Sequence, residues 1–233
     1  MRVHRGDLVV ATQGRGIYIL DDVTPLYRAR DVHAALADGS TPAYLFPPRD
    51  TVQAFTRGGS GPEERSGENP PDGVQIFYAL AAGGAETAAA AAEGVAGDES
   101  ALTLEIFGPD GDLARAFHSN RDPDPNPADI DFASRGEIRL TTDPGMNRFV
   151  WDTRYAPPDR PDGMVIYGLT HGPRSTPGEH RARLSMGDWS REVSFRIVAD
   201  PRLDTPQAHH EERLEMELRI RDDLQAVFDA IRT

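Results

Sequence analysis

No cysteine occurs anywhere in the chain. That excludes disulfides, thiolate nucleophiles and thiolate metal sites, and it leaves the redox compartment open. Long apolar runs are missing as well. None approaches the roughly 20 residues that span a bilayer, and Met1–Val10 lacks the apolar centre of a signal peptide. Positive charge is scarce: 25 basic residues stand against 38 acidic ones for a net charge of −13. No basic patch is segregated from that excess, so a nucleic-acid backbone would be repelled and no nucleic-acid partner is expected. Aromatic residues are only 7% of the 233. Three motif classes are also wanting: a Ser-His-Asp order, a phosphate loop, and a dinucleotide fingerprint. Gly14-Arg15-Gly16 lacks a third Gly and leads into a strand-like run instead of a helix.

What is present is a series of short patterned runs. Asp7–Thr12 and Ile17–Leu20 are β-rich and flank Gln13-Gly14-Arg15-Gly16, whose glycines can supply positive φ, so they predict a hairpin. A lone hairpin is marginal in water. VHAALAD, up to Gly39, predicts a short helix over 31–38. Further strands are expected over 51–55, 74–80, 101–107, 113–118, 147–151, 181–186 and 192–198. Leu102, Leu104 and Ile106 share one strand face, as do Val193, Phe195 and Ile197. Gly108-Pro109-Asp110-Gly111 and Gly187-Asp188 are turn signals between them. About seven short antiparallel strands of this kind describe an immunoglobulin-like β-sandwich.

Three polar loops interrupt the series, over 58–73, 81–100 and 119–136. The alanine run Ala88–Ala92 is flanked by glycines, which predicts a mobile loop over a helical turn. At the C-terminus Thr205 is placed to cap a helix that Pro206 opens and that runs to Arg232. Leu214, Leu218, Leu224, Phe228 and Ile231 approximate one apolar stripe, too short for several clean heptads, so the helix is expected to dock on its own chain.

Candidate chemistry is thin. Asp122-x-Asp124-x-Asn126 resembles the start of a calcium loop, but Pro127 and Ala133 stand where Gly and Glu belong; a solvated acidic loop is the expectation, and no metal or cofactor site is assigned. Glycosidase chemistry needs two carboxyl groups roughly 5 to 9.5 Å apart, and no acidic pair is singled out. Asp152 is expected to bond a following turn, beside Trp151 in the core. Adjacent residues in His209-His210-Glu211-Glu212 diverge around a helix and read as a solvated helix start. His171 and His180, with no partner spacing, read as surface or half-buried residues.

ATQGRGIYILDDVTPL, residues 11–26, closely resembles the last-blade sequence of large bacterial BNR-repeat β-propeller proteins, the group often labelled sortilin-type or glycosyl-hydrolase-like. The turn usually reads His-Gly-Arg in that group, and Gln13 stands in place of the His. LFPPRD (45–50), GENPPDGVQIFY (67–78), PGMNRFVWDTRY (144–155), Tyr167-Gly168 and Pro177-Gly178 follow the post-propeller order of that family, so the likeness covers most of the chain. Gly145–Asp152 and Pro177-Gly178-Glu179-His180 also resemble the Ig-like domain of flagellar hook-capping proteins. The Asp-box Ser-x-Asp-x-Gly-x-Thr-Trp is absent, and a propeller needs several blades where this chain has material for part of one.

The resemblance implies an all-β chain of four parts. Residues 1–26 would be a remnant of the last blade, 27–46 a linker with a short helix, 47–203 the sandwich, and 204–233 the C-terminal helix. It implies a C-terminal piece of a longer exported protein, periplasmic or extracellular, whose N-terminal propeller blades are the missing partner. The leading expectation is a non-catalytic accessory or interaction module with a protein or glycan partner and no membrane span. The alternative is part of a glycoside hydrolase or sialidase-like enzyme whose catalytic propeller lies outside the chain. A third reading, an independent small cytosolic protein, requires the first hairpin to be covered within this chain. The family's turn should join two strands on the face where propellers often bind ligands, which makes Gln13 and Arg15 the ligand-binding candidates.

Overall fold

The computed structural model of the chain describes residues 1–4, 6–14, 16–54, 72–93, 101–120, 139–161, 164 and 171–232. Among them the fold is mostly β, with three sheets, three α-helices and a 3-10 turn. Arg15, the 122–126 stretch and most of the expected polar loops lie outside the described residues.

The first sheet is a three-stranded antiparallel meander, β1 (Arg2–His4), β2 (Asp7–Thr12) and β3 (Gly16–Leu20). Gly14 and Gly16 take φ of +85° and +109° at its turn, the left-handed region the sequence anticipated. The three-residue β1 was not foreseen, because RVH is too short to show a period.

The body is built from two other sheets. One has the order β5-β11-β10-β7-β8, made of β5 (Thr51–Gln53), β7 (Thr103–Phe107), β8 (Leu113–His118), β10 (Gly178–Met186) and β11 (Trp189–Ala199). The second has the order β4-β6-β9, made of β4 (Ala43–Leu45), β6 (Val74–Leu80) and β9 (Gly145–Trp151). Their facing sides fill one core. Ile76, Tyr78, Phe149 and Trp151 come from the smaller sheet, and Leu104, Ile106, Leu184, Phe195 and Ile197 from the larger. The alternation read in 102–106 and 193–197 is the pattern that turns these side chains inward. The strands are not all antiparallel as expected: β5 pairs parallel to β11, which the long connection between them, through strands of both sheets, permits.

Nearly every residue of β6 is buried, because both its faces are covered. α1 (Ala29–Ala37) lies on the outer one, where Val32 and Leu36 pack with Phe46, Phe77 and Ala79. The 27–46 stretch therefore contributes a packed helix and, through β4, a strand of the body.

The expected loop at the alanine run is a helix, α2 (Ala82–Ala92). Ala85, Ala88 and Ala91 are buried, the first two in the main core, so tertiary packing adds to the high intrinsic propensity of alanine. One of its two glycines serves close approach: a Cβ on Gly84 would lie 2.5 Å from the Pro42 carbonyl oxygen.

α3 (Gln207–Arg232) docks on the chain along its length. Leu214 and Phe228 are buried, Leu218 packs on the main core, and the Gln207 amide donates to the Pro177 carbonyl at 3.0 Å. Near the other end, Arg232 donates to the Asp159 and Arg160 carbonyls at 3.0 and 2.8 Å. Ile231, counted in the apolar stripe, is instead exposed with Met216, Ile220 and Val227. The stripe turns away from the body in the last turn, where polar bonds hold the helix.

Candidate functional site

Two regions carry surface chemistry, and the first is the β1–β3 sheet. Its register puts Val3, Leu8 and Leu20 side by side, with Val10 opposite Tyr18 on the same face. On the other face Val9 stands opposite Ile19 and Ala11 opposite Ile17. Both faces are thus apolar, whereas an antiparallel sheet at a surface normally keeps one side polar. All five residues of β3 are exposed, Ile17 at 70% and Ile19 at 61%. The sheet is tied to the body through Asp7. The Asp22 amide donates to its Oδ1 at 2.9 Å and the Arg49 guanidinium at 2.6 Å, and these two contacts, the backbone one foremost, hold the Asp7 carboxyl below its ordinary pKa. Gln13 is exposed at the turn.

The second region is a cleft of about 460 Å³ between the end of the larger sheet and the first turns of α3. Every one of the chain's 25 basic residues is arginine, and three converge here: Arg154, Arg174 and Arg213. Arg154 and Arg174 face each other across an isolated antiparallel bridge. Arg213 reaches over from α3 and donates to the Arg174 carbonyl at 3.1 Å. A second hollow of about 310 Å³ continues along α3 and shares Arg154 and Glu217 with the first.

The cleft wall is fixed by a strained turn after β9. Thr153 has φ of +62°, a conformation that a β-branched residue rarely adopts. Its surroundings hold it there: the Asp152 carboxylate accepts from the Arg154 amide at 3.1 Å, the Trp151 indole donates to the Arg154 carbonyl at 2.9 Å, and the Ser175 amide donates to the Thr153 carbonyl at 2.7 Å. The turn bond expected of Asp152 and the core position of Trp151 are both present. Asp152 also stands 3.6 Å from the Arg115 guanidinium.

Behind this wall lies a Ser–His pair at nucleophile–base distance, with Ser175 Oγ 2.8 Å from His180 Nε2. The Gly178 carbonyl, 3.1 Å from Nδ1, can only accept, so Nδ1 carries the proton and Nε2 accepts from the serine hydroxyl. Among the described residues no carboxylate hydrogen-bonds this imidazole, and Ser175 and His180 are each 0% exposed. His180 was expected at or near the surface. It is core, its ring stacked on Phe195 at 5.5 Å and tilted against Trp151 at 5.8 Å. A substrate would have no access, and the pair is structural.

Burial pushes the His180 pKa below its ordinary value, partly offset by the bond to the Gly178 carbonyl. The unfolded chain therefore takes up this proton first, so the stabilising effect of the neutral ring is full above the unfolded pKa of about 6.5 and is lost as pH falls toward the folded value. Urea unfolding at pH 7.5 and pH 5.5 should show stability falling with acid, at a slope from this group of at most about 1.4 kcal/mol per pH unit. His180→Phe should lose about 1–3 kcal/mol at pH 7.5, by orphaning Ser175 and the Gly178 carbonyl, and flatten that slope.

The helix start at 209–212 is not wholly solvated. His209, Glu211 and Glu212 are exposed, but His210 is half-buried, and its Nε2 is buried at the cleft with no hydrogen-bond partner among the described residues. His171 is half-buried and lines the second hollow. Among the described residues no group of His, Asp and Glu is arranged to hold a metal ion, and no helix is long and apolar enough to cross a membrane. The arginine cleft escaped sequence reasoning because its members lie far apart in the chain. The one available signal was a run of basic residues that are all arginine in an acidic protein.

No protein-family model matches the chain, and neither a curated protein nor a solved structure matches it.

Proposed function

We propose that this chain is a non-catalytic interaction module belonging to a larger exported β-propeller protein. In this reading β1–β3 is part of a blade. The two-sheet body, read as an immunoglobulin-like sandwich, supports it or contacts a protein or glycan partner.

The observation that carries the reading is the sheet that is apolar on both faces, with Ile17 and Ile19 on one and Tyr18 and Leu20 on the other, all exposed. A sheet of that composition suits a position between two other layers, which is how blades sit around a propeller axis. Among the described residues its outer strand β3 is paired on one side only, and such an edge can pair with another strand. The buried Ser175–His180 pair adds nothing in favour of hydrolysis.

Sedimentation velocity on the isolated chain tests this. Wild type should self-associate through the uncovered sheet as concentration rises, and Ile17→Lys/Ile19→Lys should sediment as a monomer. That variant should be within about 0.5 kcal/mol of wild-type stability per substitution, since both side chains are exposed. A wild-type chain that stays monomeric and binds no apolar dye would overturn the reading.

A further inference from the structure

We infer that the cleft between the larger sheet and α3 is a binding site for a small organic carboxylate, held by Arg154, Arg174 and Arg213 with His210. Three observations meet there. First, the bridge sets two arginines directly opposite each other, a pairing that like charge makes unfavourable unless an anion lies between them. Arg174 stands 3.4 Å from the exposed Asp72, and Arg154 stands 4.0 Å from Asp152 and donates to the Gly172 carbonyl at 2.9 Å. Second, His210 Nε2 is buried at the cleft without a partner among the described residues, an orphan that a ligand oxygen would satisfy. Third, the backbone strain at Thr153 falls in the wall that aims Arg154, where ligand clamps commonly store it.

Charge and shape set the ligand class. The two carboxylates of the lining are already engaged, Asp200 by a two-pronged contact from Arg202 at 2.6–3.1 Å and Glu217 by Arg213 at 2.6 Å. Three guanidinium groups line the cleft, and Arg202, outside the lining, answers Asp200, which suits an anionic ligand. A planar guanidinium fork matches a carboxylate in two bonds. Leu203, Ala54 and Ala199 line the rest of the cleft and suit a carbon skeleton. Such a carboxylate can come from an acidic sugar or from an aliphatic acid.

Isothermal titration of the full chain with sodium glucuronate and with sodium butyrate, at ionic strength matched by chloride, tests the site. At least one probe should bind saturably with a dissociation constant of about 1 mM or tighter; tighter glucuronate identifies a sugar acid and tighter butyrate an aliphatic one. Arg174→Gln should weaken that binding at least tenfold. His210→Phe should weaken it several-fold, and it removes no hydrogen bond from the folded chain, so it remains folded if the arginine variant does not. Saturable binding by neither probe, or unchanged affinity in a folded Arg174→Gln or His210→Phe, would overturn the inference.

Discussion

Trp151→Ala should lower the unfolding free energy by about 3–5 kcal/mol, the cost of emptying a large aromatic site in a core. Trp151 is fully buried and lies edge-on to Phe195 at 6.2 Å, packing β9 onto the larger sheet as Phe149 does against Phe117 at 4.5 Å. Its indole also bonds the Arg154 carbonyl. The variant therefore loses both packing and the anchor of the strained turn, and carboxylate binding in the cleft should weaken with it. In a chain of this size the loss corresponds to a drop in Tm on the order of 10 °C or more. Urea unfolding followed by tryptophan-independent far-UV dichroism gives the value, and a change of less than about 1 kcal/mol would mean the two sheets are not joined through this residue.

Gly172→Ala should cost about 3 kcal/mol, the upper part of the usual range for overpacking. A Cβ at this position would lie 1.9 Å from the Tyr155 carbonyl oxygen and 2.9 Å from the Ala156 carbonyl carbon, and backbone cannot move aside as a flexible side chain does. The clash would part the pairing in which the Tyr155 amide donates to the Pro173 carbonyl at 2.8 Å, and displace the Gly172 carbonyl that accepts from Arg154. Gly83→Ala is the contrast. Nothing lies within 4 Å of its added Cβ, and it sits in α2, so that variant should gain up to about 1 kcal/mol. Thermal unfolding of the pair separates close approach from mere flexibility, and equal effects would contradict the packing described.

Much of the body was legible because period-two patterning is local. Val74–Leu80 and Leu113–His118 fall where the sequence put them, and the inward sets at 102–106 and 193–197 hold. Elements whose identity depends on tertiary contact were less so. Ala43–Leu45 is too short for a pattern, β5 takes its direction from the route between sheets, and α2 reads as a loop until Ala88 is seen buried and Gly84 pressed on Pro42. His180 stood in no motif spacing, and only the fold carries it into the core beside Trp151. Arg154, Arg174 and Arg213 are separated by tens of residues, and long-range pairing leaves no local trace in composition or spacing. The first hairpin was legible as a hairpin, while the apolar character of both its faces emerged from the strand register.

That sheet is where the account stands or falls, and the most direct measurement is the nucleotide sequence upstream of the Met1 codon, translated in frame. The account predicts an uninterrupted frame of further β-rich repeats leading into Met1, so that β3 and both faces of its sheet acquire neighbours in the longer product. A stop codon just before Met1, with a ribosome-binding site between them, would contradict it.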